Sequence, residues 1–412
     1  MSTARLTGKL GMKAAGRMLL SKSDPTDPDE LDAIAKARQL VAKMGNLKGL
    51  VMKAGQIASY MPGAMPPAAA QILADLQAQS TPMAWPQIER VLEAELATPF
   101  DSIEERPFAA ASIGQVHRAV WRGAPVAVKI QYPGIAEAIK SDLRTVGVIA
   151  RLSSIGSPMD GAGIANELRD RLVEECDYER EAVNQRLFRR LLADVPGASA
   201  PDVIAERTTT RVITTALIDR PPLAELAKTG TQEARDRAGQ IIYRACFELL
   251  FHRAIYNADP HPGNYLVAAD GDVTFLDFGC VRRFDPQMIR TWKQLARSIL
   301  SNDRERMAEK FRELKFVGKE RGFDWDYQWK AMRFMYTPFL EPGFRFTPDF
   351  VMKTFGVLMF DNPNKLKIAM PPEWLFLNRL QWGLNAVLAQ LGAAGPWREL
   401  IDELLARELE PA

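Results

Sequence analysis

Asn257-Ala258-Asp259-Pro260-His261-Pro262-Gly263-Asn264-Tyr265-Leu266-Val267, a turn at Asp270-Gly271, and then Val273-Thr274-Phe275-Leu276-Asp277-Phe278-Gly279 make up the stretch that decides the fold. An Asp followed five positions later by an Asn, then by two short apolar runs and an Asp-Phe-Gly, is the order of groups that assembles a phosphoryl-transfer site. In that chemistry Asp259 orients or deprotonates the nucleophile, Asn264 holds a magnesium ion through its amide oxygen, and Asp277 bridges metal and phosphates. Tyr265 to Val267 and Val273 to Leu276 read as strands, and Asp270-Gly271 favours a tight hairpin between them. Such a hairpin sets Asn264 and Asp277 side by side. Asp-Phe-Gly alone arises by chance; the full set at this spacing is specific.

Upstream, Phe108 to Val116 form a small-residue segment that leads into a strand, a turn at Arg122-Gly123 and a second strand, Pro125-Val126-Ala127-Val128-Lys129-Ile130. A Val-Ala-Val-Lys strand after such a loop is the nucleotide-binding half of the same signature, with Lys129 placed to bond the α- and β-phosphates. Ala109, Ala110, Ala111 and Ser112 leave room for backbone amides to approach phosphates. Alanine lacks glycine's freedom at positive φ, so the loop is expected to be stiff. Leu217 is also assigned to the nucleotide site. It ends a predicted strand, Val212 to Leu217, just before the connector Asp219-Arg220-Pro221-Pro222. Asp202 to Ala205 reads as another strand, and Ile135 to Ser153, Asn166 to Leu192 and Thr231 to Ile255 read as helices. After Gly279 the chain reads as almost wholly helical. One acid must pair with Lys129, and spacing alone does not choose among Glu174, Glu175, Asp177, Glu179 and Glu181.

A chain of 412 residues with 47% hydrophobic content can fill two or three lobes. A net charge of +2 gives no excess of base for a nucleic-acid partner. Three cysteines and three histidines, widely separated, fit neither a disulfide scaffold nor a zinc cluster and point to a reducing compartment. The longest charge-free runs, Ala54 to Ala74 and Leu380 to Trp397, are broken by prolines or by Gln, Asn and Gly, so no transmembrane helix is expected. Residues 4 to 22 carry Arg5, Lys9, Lys13 and Arg17 at four-residue spacing with no acid before Asp24. Three readings stay open for this basic helix: contact with an anionic membrane surface, a transit peptide, or a solvated helix docked on the body.

Taken together, these motifs resemble the UbiB atypical kinases, also called AarF-domain or ABC1-type kinases. The family's KxGQ helix is similar to Lys53-Ala54-Gly55-Gln56, its alanine-rich loop to Ala109-Ala110-Ala111-Ser112, its strand lysine to Lys129, and its ExD motif to Glu175-Cys176-Asp177. Its lysine-pairing acid matches Glu181, and its DPHPGN loop and metal-binding Asp match Asp259 to Asn264 and Asp277. The resemblance implies an α+β, protein-kinase-like two-lobed fold with a helical extension over residues 1–80, an N-lobe with inserted helices over 81–218 and a mostly helical C-lobe over 219–412. It implies Asp259, Lys129 and Glu181 as catalytic groups, ATP and magnesium as cofactors, and a regulatory role for Lys53, Gln56, Glu175 and Asp177 in restricting access to the phosphates. The acceptor it implies is a small molecule or lipid-like substrate. The work is in isoprenoid-quinone (ubiquinone) biosynthesis or lipid homeostasis beside quinone-biosynthesis proteins, in the cytoplasm or peripherally at an inner membrane.

Two features set the chain apart from protein kinases without appeal to the family. No arginine stands next to Asp259, where Asn257-Ala258 replace the His-Arg of a protein kinase, and no Ala-Pro-Glu follows Asp-Phe-Gly, so the means to hold an activation-loop phosphate and to dock a peptide are missing. Asn257 stands where many family members have His, and a loop-shaping hydrogen bond is expected of it. Two rival readings remain. One is a small-molecule kinase of the aminoglycoside or choline type, which lacks a KxGQ helix; the other is a non-catalytic, nucleotide-gated lipid-binding scaffold.

Overall fold

The computed structural model describes residues 83–111, 113–136, 174–257, 260–369 and 371–411. Residues 4 to 22, Lys53, Gln56, Ser112 and Asp259 lie outside them.

The N-terminal lobe is organised by the alternation that sequence writes into Val126 to Gln131. Strand β3, Gly114–Trp121, turns at Arg122 and Gly123, both at positive φ, into strand β4, Ala124–Gln131. That pair of left-handed residues is the chemistry of a two-residue hairpin. Strand β6, Val212–Ala216, flanks β4 on its other side, with Lys129 opposite Val116 of β3 and Ile213 of β6. Val126, Val128 and Ile130 point to one face and pack with Ile88 and Val91 of helix α1, Trp85–Glu95. Full burial of Val128 and Ile130 is worth about 1.5–3 kcal/mol each. Lys129, one step out of phase, emerges on the opposite face, where helix α2, Tyr178–Leu192, packs through Tyr178 and Ala182 against Ile113 and Ile213. The period of two thus decides which face the lysine serves.

Three local expectations are corrected. Ala109–Ala111 is strand β2, paired with Val116, Gln115 and Gly114, rather than a loop; with strand β1, Ser102–Ile103, it runs along the outer edge of β3. Pairing with a long neighbour overrides alanine's weak β preference. Asp202 to Ala205 is not a strand: Val203 makes an isolated bridge to Thr215, and a 3-10 turn begins at Ala205. The helix expected from Asn166 to Leu192 is interrupted at Asp177, whose carboxylate accepts from the Arg180 amide and caps α2; the part before Glu174 lies outside the described residues.

The second lobe is built on helix α4, Gln232–Arg253, which follows the short helix α3, Leu223–Thr229. Thr231 caps α4 through its hydroxyl, and Ala254 ends it in the left-handed conformation. Strand β7, Ile255–Asn257, then pairs with β10, Val281–Arg283, while β8, Tyr265–Val267, and β9, Val273–Phe275, form the expected hairpin, with β5, Ala198–Ser199, parallel to β9. The helices that follow are α5 (Pro286–Leu300), α6 (Arg304–Glu313), α7 (Trp325–Met335), α8 (Thr337–Leu340), α9 (Pro348–Phe355), α10 (Pro372–Leu391) and α11 (Trp397–Ala406). A π-helical turn, Gly356–Phe360, extends α9. Among the described residues no helix is long and apolar enough to cross a membrane.

Gly114 is the point where β3 leaves the alanine-rich edge, and a Cβ there would lie 2.2 Å from the Ile130 carbonyl oxygen. Gly114→Ala is therefore expected to destabilise the protein by about 2–3 kcal/mol. Urea unfolding should show the lower midpoint; an unchanged midpoint would contradict the tight register.

Candidate active site

Lys129 and Glu181 come from different elements and meet in the interior. The Lys129 Nζ donates to both carboxylate oxygens of Glu181, at 2.8 and 2.9 Å, lies 3.7 Å from Asp277 Oδ2, and sits 4.8 Å above the Tyr178 ring. Glu181 stands in the first turn of α2, where the helix dipole favours a negative charge. Gln131, two residues beyond Lys129, fixes the entry to that helix by donating to the Cys176 carbonyl at 2.7 Å and the Thr210 carbonyl at 3.2 Å.

Burial alone would lower the pKa of Lys129, but Asp277 and Glu181 outweigh it and hold the ammonium well above its ordinary range. Burial pushes the Glu181 carboxyl up to about 7; Lys129 pulls against that shift, and the charges of Asp277 and Glu175 add to it. The lysine is therefore a fixed cation, and Glu181 is a carboxylate that depends on it.

Asp277 adopts φ 59°, in the left-handed region. Three bonds hold this segment: the Gly279 amide donates to Asp277 Oδ1 at 3.1 Å, Asn257 Nδ2 donates to the Asp277 carbonyl at 2.6 Å, and Asn184 Nδ2 donates to the Phe278 carbonyl at 3.0 Å. Phe278, fully buried, packs on Phe188 of α2 with ring centroids 5.2 Å apart. Helix α2 thus carries the lysine's partner and also two contacts that seat Asp277. Asn184 and Phe188 were not singled out from sequence, although their spacing of three and seven from Glu181 places them on one helix face. A strained non-glycine conformation held by several partners is typical of a functional position.

Asn264 opens β8. Its carbonyl accepts from the Leu276 amide at 2.8 Å, which puts Asp277 one residue beyond the pairing, and its own amide donates to the His261 carbonyl. His261 turns back to accept from the Gly263 amide at 2.9 Å, the work of a turn residue. Ala109 and Ala110 are exposed on β2 and Ala111 is half-buried. The Leu217 amide donates to the Pro125 carbonyl at the end of the sheet. The neighbouring acids divide their roles: Glu174 pairs with Arg282 at 2.6 Å, Glu175 is buried with its Cγ near Gly279, and Asp177 caps α2.

The donor set suits a hard cation shared with phosphate. Asp277 offers a carboxylate that remains 36% exposed, Asn264 an amide, and Lys129 a positive charge beside them. Among the described residues no three His, Cys, Asp or Glu side chains cluster to form a metal cage. Magnesium is characteristically held by one or two protein oxygens, with the remainder from phosphates and water.

The ABC1 atypical kinase-like domain matches residues 75–311. The chain belongs to this family. Among its relatives, the rat mitochondrial atypical kinase COQ8B is 34% identical over 319 residues, covering 75% of this chain and 60% of the relative. The Saccharomyces cerevisiae mitochondrial atypical kinase COQ8 is 29% identical, covering 97% and 83%. The structure of Mycobacterium tuberculosis Rv3197 in complex with erythromycin matches with a TM-score of 0.66 and 30% identity, covering 93% of this chain and 100% of that one. The fold is the expected α+β, two-lobed kinase-like arrangement. The chain spans 60% of the rat relative and 41% of the matched Caenorhabditis elegans protein.

The ion pair generates a pH test. In Lys129→Met the cation that holds Glu181 down is gone, so the folded-state pKa rises above about 7, well above the roughly 4.3 of an unfolded glutamate. The folded state then binds an extra proton between those values, and stability falls as pH rises through that window. Lys129→Met should lose about 3–5 kcal/mol at pH 8 and less at pH 5.5. Lys129→Met with Glu181→Leu should recover most of the loss and flatten the pH dependence; a flat profile in the single variant would contradict the pairing.

Proposed function

We propose that this chain is an ATP- and magnesium-dependent atypical kinase or ATPase acting on a small-molecule or lipid-like substrate in isoprenoid-quinone (ubiquinone) biosynthesis or lipid homeostasis. The observation that carries the reading is Lys129, clamped by Glu181 and 3.7 Å from Asp277. Membership of a kinase-like family supports phosphoryl transfer. The COQ8 relatives, both mitochondrial, and the family resemblance support the quinone or lipid setting. Work at the face of an inner membrane, through the basic segment 4 to 22 and beside quinone-biosynthesis proteins, is part of the same reading.

In this reading Lys129 neutralises charge on the α- and β-phosphates while Glu181 stops it from moving. Asp277 and Asn264 are the residues that would hold magnesium, which when bound neutralises the charge that develops on the transferred phosphoryl group. Asp259 aligns the attacking hydroxyl or water; this role comes from the sequence motif. Ala109, Ala110, Ala111 and Ser112 cover the phosphates, and Leu217 borders the base. Lys53, Gln56, Glu175 and Asp177 limit access to the cleft. Catalysis is then chiefly positioning and electrostatic preorganisation.

Purified protein with magnesium and ATP should release phosphate, faster with anionic vesicles, and Asp277→Asn should cut turnover by at least about 100-fold while abolishing magnesium-dependent nucleotide binding. Nucleotide binding without turnover, with or without vesicles, would instead mark a nucleotide-gated scaffold. Normal binding by the variant would remove the metal assignment.

A further inference from the structure

The apolar face that β3 and β4 turn toward α1 carries two polar side chains with no part in the reaction assigned to the cleft. Gln115 and His117, both fully buried, stand opposite Ile130 and Val128 of β4. Polar groups in such a place have to be bonded, and these two are bonded to each other and to two backbone segments. His117 Nδ1 lies 2.7 Å from the Glu104 carbonyl oxygen, His117 Nε2 lies 2.9 Å from Gln115 Nε2, and Gln115 Oε1 accepts from the Met83 amide at 2.9 Å. Gln115 Nε2 also reaches the Met83 carbonyl, at 3.4 Å.

The two ends of this chain of bonds fix every proton in it. The Glu104 carbonyl can only accept, so Nδ1 carries the imidazole proton. The Met83 amide can only donate, so the Gln115 oxygen faces it and the Gln115 amide nitrogen faces the ring. His117 Nε2 is then an acceptor, and the ring is neutral. Burial acts in the same direction, holding the His117 pKa below its ordinary value against the pull of the Glu104 carbonyl and carboxylate. Trp85 of α1 covers the ring, with centroids 5.5 Å apart, and neither Trp85 nor Val128 is charged. The ionised group that acts on His117 is the Glu104 carboxylate.

Both anchored segments sit at junctions. Glu104 lies on the connection from β1 to β2, just before the alanine-rich edge, and Met83 lies two residues before α1, where residues 1–82 join the lobe. A proton added to Nε2 would set two donors against each other across 2.9 Å. Rotating the Gln115 amide removes that conflict and recreates it at Met83, whose amide would then face an N–H group. Once the ring is charged, no orientation of Gln115 satisfies both ends.

We propose that Gln115 and His117 form a proton-operated latch at the junction between residues 1–82 and the N-terminal sheet, closed on Met83 while the ring is neutral and released when it takes a proton. The latch is independent of the reaction assigned to the cleft. Its direction follows from the bonds: an unfolded imidazole takes its proton near pH 6.5 and the folded one only at lower pH, so the seat of α1 weakens as pH falls through that interval.

Hydrogen exchange of the full chain, corrected for the intrinsic effect of pH on exchange, tests the latch. Between pH 7.5 and pH 5.0, peptides that span Met83 to Val91 should lose protection at least about tenfold while those of α4 keep theirs. Gln115→Glu is the diagnostic variant, because one carboxylate oxygen can accept from the Met83 amide and the other from a protonated Nε2. Its protection at Met83 to Val91 should change by less than about twofold over the same range. Gln115→Leu should already lack most of this protection at pH 7.5; if it does not fold, Gln115→Glu carries the test alone. Equal protection of Met83 to Val91 at both pH values in wild type, loss of protection in α1 and α4 together, a wild-type response in Gln115→Glu, or full protection in Gln115→Leu would overturn the proposal.

Discussion

A lysine that must stay charged inside the protein is the constraint from which the rest of the site follows. Lys129 reaches the interior on the face of β4 that lacks valines, and nothing on its own strand can neutralise it. Its partner has to come from another element, and the only economical arrangement is a helix laid across that face with an acid in its first turn. Helix α2 does this, and Asp177, Gln131 and Tyr178 set its angle, entry and depth. Taking such a pair out of water costs more than its attraction returns unless the geometry is close to ideal. The double contact between Nζ and both Glu181 oxygens meets that condition.

The same helix then determines the other half of the cleft. Asn184 and Phe188 lie on the face that carries Glu181, and they bind the backbone and ring of Phe278. Any movement of α2 that breaks the lysine pair also releases Asp277 from its left-handed conformation. The sheet and the hairpin are thus linked through one helix. Lys129 and Asp277 therefore belong to a single state of the molecule. Asn257 supplies the tie from the other direction, by its bond to the Asp277 carbonyl. Its side-chain amide thereby serves the loop.

What could be read from sequence was local or periodic. The β8–β9 hairpin was legible because Asp270-Gly271 specifies its own turn, with Gly271 at φ 93°. Lys129 was legible because alternation in Val-Ala-Val-Lys separates it from the core face. Glu181 was not, since five acids crowd residues 174 to 181 and only resemblance selects among them. The alanine-rich edge was misjudged because three alanines carry little conformational preference, and cross-strand pairing with β3 decided the matter. The break at Asp177 was missed because the same side chain reads as one more solvated acid until its bond to the Arg180 amide is seen. The π turn was hidden within an apolar run that continues a helical pattern.

A crystal structure with magnesium and a non-hydrolysable ATP analogue tests the central claim most directly. The account predicts Lys129 Nζ within about 3 Å of an α- or β-phosphate oxygen and an Asp277 carboxylate oxygen about 2.1 Å from the metal. A nucleotide bound elsewhere, or one in this cleft with Asp277 out of contact with the metal, would contradict it.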